Sequence, residues 1–110
     1  MTSKDLKSLF IFLLILSWTF QLTAQNYTQS VRGQIVDRDN GHPLSGVGVQ
    51  ITGTDLQTLT DSNGTFRLSQ VPAGRHTLEI RKEGFQPYVL PDMVVNAGKE
   101  TVLDISLETL

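Results

Sequence analysis

From Val31 onward, apolar and polar residues alternate in short runs, and each run is closed by a turn signal. Val31, Gly33 and Ile35 alternate with Arg32 and Gln34 before Asp39-Asn40-Gly41. Val47, Val49 and Ile51 alternate with Gly48, Gln50 and Thr52, and Gly53 ends them. A run around Leu56 to Thr60 meets Asp61-Ser62-Asn63-Gly64, a hairpin signal, because Asn and Gly tolerate the positive φ of tight turns. Phe66 and Leu68 precede Pro72-Ala73-Gly74, and Leu78 and Ile80 continue the same apolar face. Residues 85–95 are apolar but broken by Pro87 and Pro91, which cannot donate to a ladder, so they form an edge strand or an irregular crossing. Leu103, Ile105 and Leu107 close with clean alternation.

Period-two alternation with turns about every eight to twelve residues is the pattern of an all-β sandwich or barrel. No stretch after residue 30 sustains the three-and-four apolar spacing of a helix. Seven short strands with one apolar face each bury those faces against a second sheet, which predicts a seven-stranded, two-sheet β-sandwich. Phe66 and Phe85 belong to the expected core.

The N-terminus reads differently. Lys4 and Lys7 precede an apolar run from Leu9 to Leu16 that continues through Trp18 and Phe20. A signal-peptide helix is expected, since a spanning helix needs about 20 apolar residues and the flanks are those of an export signal; an uncleaved anchor or a buried core helix is the alternative. Cleavage is expected after Ala24, although Leu22 departs from the usual small residue. The expected division is 1–24 signal peptide, 25–30 polar lead-in and 31–108 domain. No cysteine follows the signal, so lipid attachment at a processed cysteine is excluded. The mature chain has 110 − 24 = 86 residues, enough for one domain. With no cysteine to staple it, that domain coheres by packing.

Charge narrows the function classes. Removing Lys4, Lys7 and Asp5 leaves 9 − 2 = 7 cationic and 11 − 1 = 10 acidic residues, scattered singly or in pairs. No basic face dominates, which argues against nucleic acid as a partner.

The motifs also argue against an enzyme. Zinc catalysis needs three protein ligands, and His42 and His76 are the only histidines. Asp37-Arg38-Asp39-Asn40-Gly41 and Asp61-Ser62-Asn63-Gly64 start like calcium loops. Calcium takes about six to eight oxygens, and an EF-hand loop ends on a Glu at its twelfth position. Gly48 and Pro72 stand there instead, so Asx-type turns explain both pieces. No Gly-x-Ser-x-Gly and no glycine-rich phosphate loop is present. No cofactor is expected. Tyr88 remains as a candidate partner or glycan contact, its alternative being a half-buried packing role.

The ordered set Val31-Arg32-Gly33-Gln34-Ile35-Val36-Asp37, Gly41-His42-Pro43-Leu44-Ser45-Gly46-Val47, Thr60-Asp61-Ser62-Asn63-Gly64-Thr65-Phe66, Val71-Pro72-Ala73-Gly74 and Gly84-Phe85-Gln86-Pro87 resembles the carboxypeptidase regulatory-like domain. The resemblance implies a transthyretin-like sandwich. In Bacteroidetes such domains stand at the N-terminus of TonB-dependent outer-membrane receptors, ahead of a plug and barrel. It implies an exported, non-catalytic accessory or protein-interaction domain in the periplasm, at the outer membrane or secreted. Its partners would be envelope proteins or a receptor's plug and barrel, with no membrane span in the mature chain. The chain stops at Leu110, which suits either a receptor fragment or a free-standing copy. A carbohydrate-binding module of the cell envelope is the alternative.

Overall fold

The computed structural model describes Lys7, Ser8, Ile11 and residues 27–110. Apart from those three residues, the expected signal peptide and its cleavage site lie outside the described part. Seven strands run in chain order: β1 (Thr28–Asp37), β2 (Gly48–Ile51), β3 (Gln57–Leu59), β4 (Thr65–Pro72), β5 (Gly74–Arg81), β6 (Tyr88–Val95) and β7 (Thr101–Leu107). They form a three-stranded sheet ordered β4-β1-β7 and a four-stranded sheet ordered β3-β2-β5-β6. The chain is an all-β, two-sheet sandwich, as the alternation predicts. β1 begins at Thr28, within the polar lead-in, because its first residues pair with Val71 and Pro72.

The apolar faces meet between the sheets. Val31, Ile35, Phe66, Leu68, Val71, Ile105 and Leu107 come from the three-stranded sheet, and Val49, Ile51, Leu78, Ile80, Met93 and Val95 from the other. Val47, just ahead of β2, completes the buried cluster. Phe66 is buried, whereas Phe85 is half-buried and packs on the cluster from its rim.

Two strands keep their apolar face inward only by inserting a residue. On β4 the buried positions step from Leu68 to Val71, and the register with β1 shifts at the same place. On β6 they step from Leu90 to Met93, opposite His76 and Leu78. The extra residues, Gln70 and Asp92, both have positive φ, near 59° and 56°. These are β-bulges, and each restores the inward phase of the residues after it. Pro91 thus sits beside a bulge on an edge strand, where its missing N–H does no harm.

The Asn63-Gly64 turn is corrected in one respect. It does not join neighbouring strands of one sheet, since β3 pairs with β2 and β4 pairs with β1. Gly64 has the expected positive φ but Asn63 does not, so the doubly left-handed turn of a two-residue hairpin is absent. The Asp61 carboxylate accepts the Asn63 N–H at 2.9 Å and holds Asn63 on the other side of the map. The turn therefore carries the chain from one sheet to the other.

β1 and β7 are parallel, with Val31 opposite Thr101 and Asp37 opposite Leu107. Tyr27 and the turns before β5 and β7 lie at one end of the sandwich, here the entry end. The exit end holds the β1–β2 and β5–β6 connections, the 60–64 turn and Leu110.

Candidate functional site

At the exit end, two Asp turns and one threonine organise the loops. The Asp37 carboxylate accepts the Asp39 N–H at 2.8 Å, and its carbonyl accepts the Gly41 N–H at 2.8 Å. The Asn40 side chain accepts the His42 N–H, so His42 is placed by a turn that uses only its backbone. The Asp61 carboxylate accepts the Thr65 hydroxyl at 2.6 Å and the N–H groups of Thr65 and Asn63. These donors hold its pKa below the usual carboxylate value, the Thr65 hydroxyl contributing most and the Thr65 N–H next. Both carboxylates serve their own turns.

Thr60 fastens the loop ahead of β2. It is the buried polar residue of the described core. Its hydroxyl donates to the Leu44 carbonyl at 2.6 Å and accepts the Val47 N–H at 2.9 Å. Gly64 closes the same corner. A Cβ there would lie 2.5 Å from the Ile35 carbonyl oxygen and 3.0 Å from Pro43, so bulk is excluded as well as a negative φ.

The histidines stay apart. His42 is exposed in the exit-end loop, whereas His76 lies on β5 near the entry end. The His76 Nε2 is 2.6 Å from the Pro72 carbonyl, which can only accept, so that nitrogen carries the proton. Among the described residues no three His, Asp or Glu side chains converge as metal ligands.

Tyr88 opens β6 opposite Ile80, half-buried and packed against the core. Tyr27 is the exposed aromatic among the described residues.

The outer face of the four-stranded sheet went unnoticed in the sequence. Gly48 separates Leu59 on β3 from Arg81 on β5, and with no side chain between them the face sinks into a depression of about 510 Å³. Gln50, Gln57 and Glu79 line it further along. Leu59, Val89 and Val94 stand exposed on the edge strands of this sheet, while Gln50, Glu79 and Arg81 make a polar strip between them. The sequence marks residues 85–95 as an apolar edge strand or irregular crossing, and β6 is an edge strand, but which of its residues face outward was not legible in a run apolar on both faces, nor was Leu59 in its three-residue strand.

The seven-stranded, two-sheet sandwich has transthyretin-like architecture. The chain belongs to the carboxypeptidase regulatory-like domain family, whose model matches residues 30–108. It is 34% identical over 84 residues to the TonB-dependent transporter Oar of Myxococcus xanthus, covering 73% of this chain and 8% of the transporter. It is 39% identical over 54 residues to carboxypeptidase D of Drosophila melanogaster, covering 48% of this chain and 4% of that protein. The chain thus spans less than a tenth of either relative. Among solved structures, the cohesin–X–dockerin complex of Acetivibrio cellulolyticus matches at 29% identity and TM-score 0.61, over 70% of this chain and 52% of that one. The 5-hydroxyisourate hydrolase of Klebsiella pneumoniae matches at 23% identity and TM-score 0.58, over 74% of this chain and 91% of the hydrolase, a likeness of fold. Among the described residues no helix is long and apolar enough to cross a membrane.

Proposed function

We propose that this chain is a non-catalytic accessory domain that makes protein contacts in the bacterial cell envelope, related to the N-terminal extension of a TonB-dependent receptor. The observation that carries the reading is the 84-residue match to a TonB-dependent transporter. The export-type N-terminus is consistent with it. The outer face of the four-stranded sheet, with Leu59 beside the Gly48 depression, is the contact surface in this reading.

A sugar-binding module would need a flat ring on the surface. Tyr88 is half-buried against the core and Tyr27 is the single exposed ring among the described residues; one ring adds about 1 kcal/mol, well short of the roughly 4.1 kcal/mol of millimolar binding. The test uses the full chain exported by a bacterial host. One arm places a photo-crosslinking residue at Leu59 and identifies adducts by mass spectrometry; the other runs a glycan array and calorimetry with Tyr88→Ala. An adduct with a TonB-dependent receptor, and no glycan bound tighter than about 1 mM, is expected. Saturable micromolar glycan binding lost in the Tyr88 variant would replace the accessory reading with the sugar module.

A further inference from the structure

We propose that this domain is a tension-bearing link, in which the parallel β1–β7 ladder is a shear clamp against pulling on its two ends. The two terminal strands are neighbours, run in the same direction, and pair along all seven residues of β7. Tyr27 precedes β1 at the entry end, and Leu110 lies beyond β7 at the exit end. Tension between those ends draws β1 and β7 in opposite senses along their own axes. Every rung from Val31–Thr101 to Asp37–Leu107 then carries a share, and the rungs must fail together. In an antiparallel pair the same ends would peel the ladder one rung at a time.

Three observations reinforce the sliding plane. β1 is the central strand, so withdrawing it also drags it past β4, and a slip of one residue would turn Val31 and Ile35 out of the core. At mid-ladder Gly33 lies so close to the Leu103 carbonyl that a Cβ would collide with it, and the same Cβ would meet the Phe66 ring at 3.0 Å. Ion pairs bracket the ladder: Arg32 Nε to Glu100 at 3.0 Å near the entry end, and Arg38 Nη1 to Glu108 at 2.7 Å near the exit end. Both are exposed and add little to resting stability. Under tension they lie across the plane that must slide.

Past β7 the chain is held again. The Glu108 carbonyl accepts the Gln86 N–H at 2.8 Å, and the Leu110 N–H donates to the Gly84 carbonyl at 3.0 Å. Pull on the C-terminal side therefore meets the β5–β6 connection before it reaches the clamp.

Forced unfolding reads the unfolding barrier, so the direction of pull is the test. The chain has no cysteine, and two substitutions make unique attachment points. The full chain with Tyr27→Cys and Leu110→Cys is stretched in a single-molecule force instrument beside one with Tyr27→Cys and Lys99→Cys. The second pair pulls β1 and β7 apart from their common entry end. With unchanged denaturant midpoints for both, a severalfold higher rupture force in the first geometry at equal loading rate is expected. Equal forces would overturn the clamp. Arg32→Gln combined with Arg38→Gln should lower the force in the first geometry alone; any other pattern removes the ion pairs from the sliding plane.

Discussion

Gly33 and Gly48 stand in opposite sheets, one in the middle of β1 and the other at the start of β2. An added Cβ at Gly33 runs into the Leu103 backbone and the Phe66 ring. At Gly48 the nearest atom would be the Arg81 carbonyl oxygen at an ordinary 3.5 Å. Gly33 shares the inward phase of Val31 and Ile35 and is crowded there, whereas Gly48 faces outward with room around it; the outer face of the three-stranded sheet has a depression of its own, of about 330 Å³. Tightness falls on the inward faces and openness on the outward ones, so the interior can hold while an outer face meets a partner.

The comparison predicts unequal damage, and the largest effect should come from the aromatic pair. Phe66→Ala, in the buried interior, should cost about 3–5 kcal/mol in urea melts, near the roughly 5 kcal/mol that a small domain holds in total. Phe85→Ala, on the half-buried rim, should cost about 1–2 kcal/mol, because only part of its ring leaves water. Equal losses would place Phe85 in the core proper and erase the distinction.

Gly64→Val tests the corner where the two sheets are joined. A β-branched residue is strained at positive φ, and here it also meets the Ile35 carbonyl, so a loss of about 2 kcal/mol or more is expected in the same melts. An unchanged midpoint would mean the turn can open without disturbing either sheet.

The glycines themselves give the sharpest contrast at smaller scale. Gly33→Ala should cost about 1–3 kcal/mol through overpacking, whereas Gly48→Ala should stay within about 0.5 kcal/mol. A melt showing the reverse order would invert the assignment of tight inward and open outward faces.

The smallest expected effect is electrostatic. Asp61 has its pKa lowered in the fold, so its contribution is fully present above the unfolded carboxylate value. It is lost as pH falls through the lower folded value. Asp61→Asn should therefore flatten the acid limb of midpoint against pH while leaving its sign at neutral pH a separate matter of lost hydrogen bonds. An acid limb identical to the parent would show that other carboxylates carry it.

Much of this architecture was readable from local pattern. Val47, Val49 and Ile51, or Leu103, Ile105 and Leu107, declare a buried face because strand periodicity is a property of neighbouring residues. The bulges were not readable, because Gln70 and Asp92 change the phase inside a run and carry no glycine to mark it. Pro91 marked an irregularity without saying which kind. Strand partners were also hidden: nothing near Val31 names Thr101. Of the site, the self-satisfied Asp turns were legible from their composition, whereas the Gly48 depression exists only once β3 and β5 flank β2. Thr60 could have been suspected as a polar residue at the end of an apolar run.

The pairing of the first strand with the last also dictates when the chain can fold. Arg38 and Glu108, joined across that pair, are 70 residues apart in sequence. Closing so long a loop has a large entropic cost before any contact repays it, which places the domain among slow folders of high contact order. During synthesis β1 is the first strand to appear, yet its flank beside Gly33 stays open until residues 101–107 have emerged. The first strand of the sandwich therefore stays uncommitted on that flank until β7 is available, and the native three-stranded sheet waits on residues 101–107.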